Sequence, residues 1–370
     1  MNFFLVSDCK EIGGTEIHII EFVKFLLGEN NGVEIVTTSV LGDRLKNSEV
    51  IIHEISFKDT LLAARKIKAL LNDKIDVVIA FRWKAIMSSA IACRRFEIPL
   101  IASVHSEFVP GSRYDNENRP DVDRLPSIID NYYDGVIAPS AAIKNSLLKY
   151  GVHEEKVVVI KSFINCLNIK RLKRERKEGK VYLGYFGRLS NEKGVDMLPE
   201  ICIALNECGI KNEWELHLYG RGDLESSIQT SILNANLGKK VFLKGFTDNP
   251  YGEMQKIDIL VVPSRQEGLG SVIIEAMNLG IPAVCFGVGG ITELIYDGQN
   301  GYLIPPFDTK LFAKKLGTLI DADALRKELS EGAIRISKEL YDSKKIYKTI
   351  MRYIDKVAKA VKSNTFRLKS

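Results

Sequence analysis

The sequence predicts an α/β protein of two doubly wound domains, each a parallel sheet covered by helices, facing each other across a cleft. Three observations carry that expectation. Short β-branched runs alternate with amphipathic stretches along the chain, the pattern of strand–helix–strand units. The alternation breaks at the polar segment KRLKRERKEGK, residues 170–180, and then restarts. A length of 370 residues is enough for two separate cores.

The first set of strands is expected at Asn2–Ser7, Val33–Thr37, Val50–Ile55, Asp76–Ala80, Leu100–His105, Val136–Ala138 and Val157–Ile160. Between them, stretches such as Ile17–Leu27 and Leu61–Leu71 repeat apolar residues three and four apart, as helices do. The second set is expected at Val181–Phe186, Glu215–Tyr219, Val241–Leu243, Asp258–Val262, Pro282–Phe286 and Tyr302–Ile304. Both halves thus read as Rossmann-like. The boundaries are 1–168, a linker at 169–180, 181–343, and a basic amphipathic helix at 344–370. In such sheets ligands bind outside the carboxyl ends of the strands.

Charge is unevenly placed within the net +5. Residues 1–165 hold 20 Lys/Arg against 22 Asp/Glu, whereas 170–180 hold seven basic and two acidic residues, and 343–370 hold nine and one. The excess sits in a linker and a tail rather than on a folded face with interleaved aromatics, which argues against nucleic acid. Six scattered cysteines without a CxxC pair read as small apolar residues of a reduced, intracellular chain. Phe3–Val6 is too short for a signal peptide core, and no apolar run spans a bilayer. A cytoplasmic protein is expected, with peripheral contact on the inner face of the membrane as the further option.

Four places carry chemistry. Gly13-Gly14-Thr15 follows the first strand and opens a helix, so it is either a phosphate-binding turn or a plain tight one. In Phe186-Gly187-Arg188-Leu189-Ser190-Asn191-Glu192-Lys193-Gly194, two cations stand after a strand, where they could stabilise a departing diphosphate. Solvated surface charge is the usual fate of such residues. The run from Pro263 to Met277 places a glycine turn, Gly268-Leu269-Gly270, between a buried strand and a helix expected to be capped by Ser271. Its carboxylates, Glu267 in the loop and Glu275 on the helix, each suit a vicinal diol. His105 ends a strand before a polar loop, 106–127, with three prolines. Loops of that length are functional or disordered.

FGRLSNEKG, EGLGSVIIEAM, GIPAVCFGVGGITELI and DGQNGYLI follow one another in the order and spacing of retaining glycosyltransferase family 4, which the chain resembles over most of its length. GGTE, SVHSE, VIAPSAAIKNSLLKYGV and KVVVIKSFIN match more loosely. The resemblance implies the GT-B architecture, with a donor-side second domain and an acceptor-side first domain to which the C-terminal helix crosses back. It implies that Arg188 and Lys193 bind the donor diphosphate, that Glu275 binds ribose, and that Glu267 faces the donor sugar. Gly220, in the turn Tyr219-Gly220-Arg221-Gly222, lies near the nucleotide. Gly245 and Phe246 meet the base, and His105 and Gly14 lie beside the sugar and phosphate. Leu269 stands where the family often has Phe, and Ser162-Phe163 where it often has Asn-Gly.

No metal and no cofactor are expected; the nucleotide sugar, of UDP or GDP type, is a substrate. A glycan or lipid-linked acceptor of a surface polysaccharide is expected near Gly14, Phe81-Arg82-Trp83 and the 106–127 loop. A nucleotide-sugar 2-epimerase and a non-catalytic partner subunit of the same fold are the rival readings. Gly287-Val288-Gly289-Gly290 is set aside as a dinucleotide fingerprint, because Thr292 replaces the third glycine. Asp121-Val122-Asp123 is set aside as a metal motif, because it lies inside a loop. In the tail, Ile346, Ile350, Tyr353, Ile354, Val357 and Val361 recur at helical spacing with lysines between them. That stripe suits docking on the protein or contact with an anionic membrane.

Overall fold

The computed structural model describes residues 1–108, 122–162 and 179–369. The centre of the 106–127 loop, the turn from Phe163 to Asn165 and all but the last two residues of the expected linker lie outside them. The chain divides into two units: Met1–Ile164 with Ser343–Ser370, and Asn165–Asp342.

The first unit is built on β1 (Asn2–Ser7), β2 (Gly32–Thr37), β3 (Ile51–Glu54), β4 (Val77–Phe81), β5 (Leu100–Ser103), β6 (Gly135–Ala138) and β7 (Val157–Val159). Its parallel sheet has the order β3-β2-β1-β4-β5-β6-β7. The helices are α1 (Gly14–Gly28), α2 (Ser39–Leu45), α3 (Thr60–Leu70), α4 (Trp83–Cys93), α5 (Leu125–Tyr132) and α6 (Ala141–Lys149). Phe4 and Val6 of β1 join one core with Ala63 of α3 and Ile86 of α4. Phe3 and Leu5 join another with Ile19 and Phe22 of α1. Successive strand side chains point to opposite faces, so a strand covered on both sides must be apolar throughout.

The second unit repeats the plan with β8 (Lys180–Phe186), β9 (Glu213–Tyr219), β10 (Val241–Gly245), β11 (Ile259–Val262), β12 (Ala283–Phe286) and β13 (Gly301–Ile304). Its order is β10-β9-β8-β11-β12-β13, again parallel. Helices α7 (Leu198–Glu207), α8 (Glu225–Asn234), α9 (Pro250–Met254), α10 (Ser271–Leu279), α11 (Thr309–Asp321) and α12 (Asp323–Leu340) cover it. The strand order reverses direction between β1 and β4 in one sheet and between β8 and β11 in the other. Such reversals are where open α/β sheets bind ligands.

The last helix, α13 (Ser343–Lys369), belongs to the first unit. Ile346, Tyr347, Ile350, Ile354 and Val357 are buried in the core shared with β1 and α1. Tyr347 stacks on Phe25 at 3.8 Å. The Tyr353 hydroxyl accepts from the Val136 amide at 3.1 Å and donates to the Lys156 carbonyl at 2.9 Å. The apolar stripe is therefore spent on the sheet, while Lys345, Lys348, Arg352, Lys356 and Lys359 face solvent.

Removing a fully buried branched side chain from such a core costs about 2–5 kcal/mol. Ile354→Ala should lower the unfolding free energy by about that amount, and Lys356→Ala by less than about 0.5 kcal/mol. Urea unfolding of the two variants measures this. Equal, small effects would mean that α13 does not pack as described.

Candidate active site

In the second unit the turns after β8 and β11 are joined by backbone. The amides of Arg265 and Gln266 both donate to the Glu192 carbonyl, at 2.9 and 3.2 Å. Arg265 adds side-chain bonds to Asp196 and to the Asn191 carbonyl. Gly194 has φ 64, and a Cβ there would lie 1.8 Å from the Pro263 carbonyl oxygen. No other residue allows the two turns so close.

The joined turns bring Lys193 and Glu267 together, Nζ to Oε2 at 2.6 Å. Ser264 donates to the same oxygen at 3.4 Å. Arg188 is 60% exposed and 3.6 Å from the Glu192 carboxylate, which also accepts from the Ser190 hydroxyl at 2.6 Å. Its guanidinium is thus held loosely at the mouth of the site. The Gly290 amide donates to the Glu267 carbonyl at 2.9 Å, and a Cβ on Gly290 would strike the Gly268 carbonyl. The last glycine of the run set aside as a false fingerprint therefore buttresses the Glu267 turn.

Ser271 does not cap α10. Gly270 is the N-cap, with φ 91, and no side-chain cap forms. A left-handed cap position favours glycine, and it leaves Ser271 as the first helical residue. The Ile273 amide donates to the Gly270 carbonyl at 2.9 Å, which leaves the amides of Ser271 and Val272 without a partner inside the helix. Glu275 lies five residues past the cap and is buried. Burial pushes its carboxyl up to about 8, against a bond from Tyr251 that lowers it.

At the edge of this site the Gly187 amide donates to the Tyr219 carbonyl, and the Gly220 amide to the Gly245 carbonyl. Phe186 and Tyr219 stack at 4.6 Å. Phe246 follows β10 with 57% of its surface exposed, an apolar face without cover.

In the first unit, His105 lies just past β5, with Nε2 2.9 Å from the Ser103 hydroxyl. Its ring is 4.8 Å from that of His18 on α1, whose Nδ1 is 3.0 Å from the Ser162 hydroxyl. A small pocket is lined by these residues with Phe81 and Pro139. Burial holds His18 down to about 4. Burial first, then His18 and Arg82, hold His105 well below its ordinary value.

Gly14 opens α1 at the switch point of the same sheet. Beside it, sequence reasoning missed a charged group. Glu16, 1% exposed, accepts from the Gly13 amide at 3.0 Å and from Arg82 at 2.8 Å. Asp8, just past β1, accepts from the Ala85 amide at 3.0 Å. Burial raises its carboxyl to about 6, against the Ala85 bond and Arg82. The Gly13–Glu16 spacing of N-cap to third helical residue was a readable signal for Glu16. Nothing local announces Asp8.

Two family profiles match the sequence: Glycosyltransferase Family 4 over residues 12–166 and Glycosyl transferases group 1 over 168–336. By these matches the chain belongs with the family 4-like glycosyltransferases. The first profile contains Gly14, Glu16, Arg82 and His105; the second contains Arg188, Lys193, Glu267 and Glu275.

Among curated relatives, the poly(ribitol-phosphate) alpha-N-acetylglucosaminyltransferase of Staphylococcus aureus is 30% identical over 219 residues, 58% of this chain and 43% of that one. The chain thus spans less than half the length of that relative. The capsular polysaccharide biosynthesis glycosyltransferase CapM of S. aureus is 23% identical over 89% of this chain and 90% of its own. HepE of Anabaena, solved with UDP, superposes with a TM-score of 0.82 at 21% identity, over 96% of this chain and 100% of that one. At that identity the likeness establishes the shared two-domain α/β fold.

The raised Glu275 carboxyl makes stability depend on pH. Its folded value is about 8 against an ordinary 4.5. Its contribution is whole below about 4.5 and is lost as pH rises to about 8, because the unfolded chain ionises more easily. Glu275→Gln cannot ionise, so its melting temperature should gain on the wild type between pH 5 and pH 8. Thermal melts of both proteins at the two pH values test this, and a gap that does not widen counts against a neutral, buried Glu275.

Proposed function

We propose that the chain transfers a sugar, with retention, from a nucleotide-diphosphate sugar to a hydroxyl of a glycan or lipid-linked acceptor of a surface polymer. The observation that carries this reading is the β8/β11 switch point. There Lys193 and Glu267 pair across the two turns, Arg188 stands on the first of those turns, and Glu275 lies on the helix that follows the second. HepE's complex with UDP and the polymer-building relatives agree with it.

Arg188, Lys193 and the first amides of α10 take up the charge that grows on the leaving diphosphate. Lys193 exchanges part of its bond to Glu267 for phosphate, which frees that carboxylate to accept from sugar hydroxyls. Glu275, once ionised, accepts from the ribose diol. The bond from the anomeric carbon to the diphosphate oxygen breaks, and the acceptor oxygen bonds to that carbon on the same face. The acceptor proton passes to the departing phosphate oxygen. The two cations do the work that a metal does elsewhere, so the reaction runs without one.

Calorimetric titration with UDP and GDP, followed by transfer assays with the matching sugars, tests the reading. Charge-assisted hydrogen bonds are worth about 1.5–3 kcal/mol, so Lys193→Ala and Glu275→Gln should each weaken nucleotide binding about tenfold to a hundredfold. Glu267→Ala should slow transfer more than it weakens binding. Because binding needs the ionised Glu275, wild-type affinity should rise with pH up to about 8. Activity should persist in EDTA. Nucleotide binding that ignores all three substitutions would overturn the site, and activity lost in EDTA and restored by manganese would overturn the metal-free mechanism.

A further inference from the structure

We propose that Arg82 is the specificity-determining residue through which the first unit grips an anionic group, phosphate or carboxylate, on the acceptor. This rests on the reading above, in which the first unit takes the acceptor.

Place is the first argument. Arg82 follows β4 and Asp8 follows β1, the two strands at which the order of the first sheet reverses. That is the position in a doubly wound sheet where a ligand meets loops from both directions. The equivalent position in the second unit holds Arg188 and Glu267.

The backbone is the second. Arg82 has φ 66 and ψ 163, a region that glycine enters freely and other residues enter at about 1–3 kcal/mol. A glycine would make this turn without strain. The strain therefore supports a side chain, and it aims that side chain.

The third is the distribution of donors. Glu16 is buried and needs a cation, and Nη1 of Arg82 supplies it at 2.8 Å. A lysine would meet that need. A guanidinium carries five donors in a planar fork. Among the described residues, this one makes a single hydrogen bond, and the side chain is 36% exposed. About a third of the side chain thus stays open to solvent. Two parallel N–H bonds match the spacing of phosphate or carboxylate oxygens. Glu16 fixes the fork from behind, so little rotamer freedom is lost on binding. Asp8, its carboxyl raised to about 6 by burial, is mostly ionised at pH 7, and Lys84, in the first turn of α4, adds the positive charge that offsets it.

The test is calorimetry on the full chain saturated with UDP, so that the second unit offers no free phosphate site. The probes are glycerol 3-phosphate, L-malate and, as the neutral control, glycerol. Wild type should bind one of the anions at least about tenfold more tightly than glycerol. Arg82→Lys, which preserves the charge against Glu16, should lose most of that preference. Arg82→Gly, which relaxes the backbone, should lose all of it. UDP affinity should not change in either variant. The proposal is overturned if wild type shows no preference for an anion, or if both variants retain it. Failure to bind UDP would instead sink the donor reading, and it would show in the first titration.

Discussion

Parallel strand pairing is the constraint from which both sites follow. A parallel strand is reached only through a crossover, and every strand of the sheet then delivers its carboxyl end to one edge. Order runs outward from β1 on one side and from β4 on the other, and likewise from β8 and β11. Crossovers of one hand that travel in opposite directions lie on opposite faces of the sheet. The elements that follow β1 and β4, or β8 and β11, therefore cover opposite faces, and the turns that lead to them stand side by side at the carboxyl edge of the sheet. Chemistry-bearing residues collect there because the middle of each sheet is apolar on both faces.

Within the second unit, magnitude shows what places Lys193 against Glu267. Both side chains retain some solvent contact, and ion pairs of that kind are worth about 0–1 kcal/mol. The backbone bonds from Arg265 and Gln266 to Glu192, with Gly194 lying against Pro263, are the stronger determinant. The pair is a consequence of the joined turns. Glu275 is the opposite case, a carboxyl buried at a cost that its fold does not recover. A strongly shifted carboxyl at the carboxyl edge of a doubly wound sheet fits the binding role proposed for it.

The first unit makes a similar trade with different materials. A buried carboxylate, Glu16, both caps the turn before α1 and pairs with an arginine held in a glycine-like conformation. Two histidines, His18 buried and His105 half-buried, line the pocket one strand along, both held below their ordinary value by desolvation. Neither arrangement is the cheapest way to build a strand–helix turn.

The sequence by itself determined the strands of the described residues to within a residue or two, since the inner ones are short runs whose burial on two faces is written into their composition and the outer ones keep the same β-branched character. It also determined the turns that bear Arg188, Lys193, Glu267 and Glu275, because a motif between a strand and a helix is local. The cap of α10 was misread because Ser271 has a capping side chain, whereas the backbone of Gly270 decides where the helix starts. Glu16 and Arg82 lie 66 residues apart, and Asp8 and Ala85 lie 77 apart. No periodicity reports such pairings; they exist because β1 and β4 are neighbours. For the tail, spacing alone gave an amphipathic helix. An apolar stripe has the same signature whether it meets a sheet or a bilayer. Tertiary structure decided that this one is buried with β1 and α1, because an uncovered face of the first sheet was there to receive it.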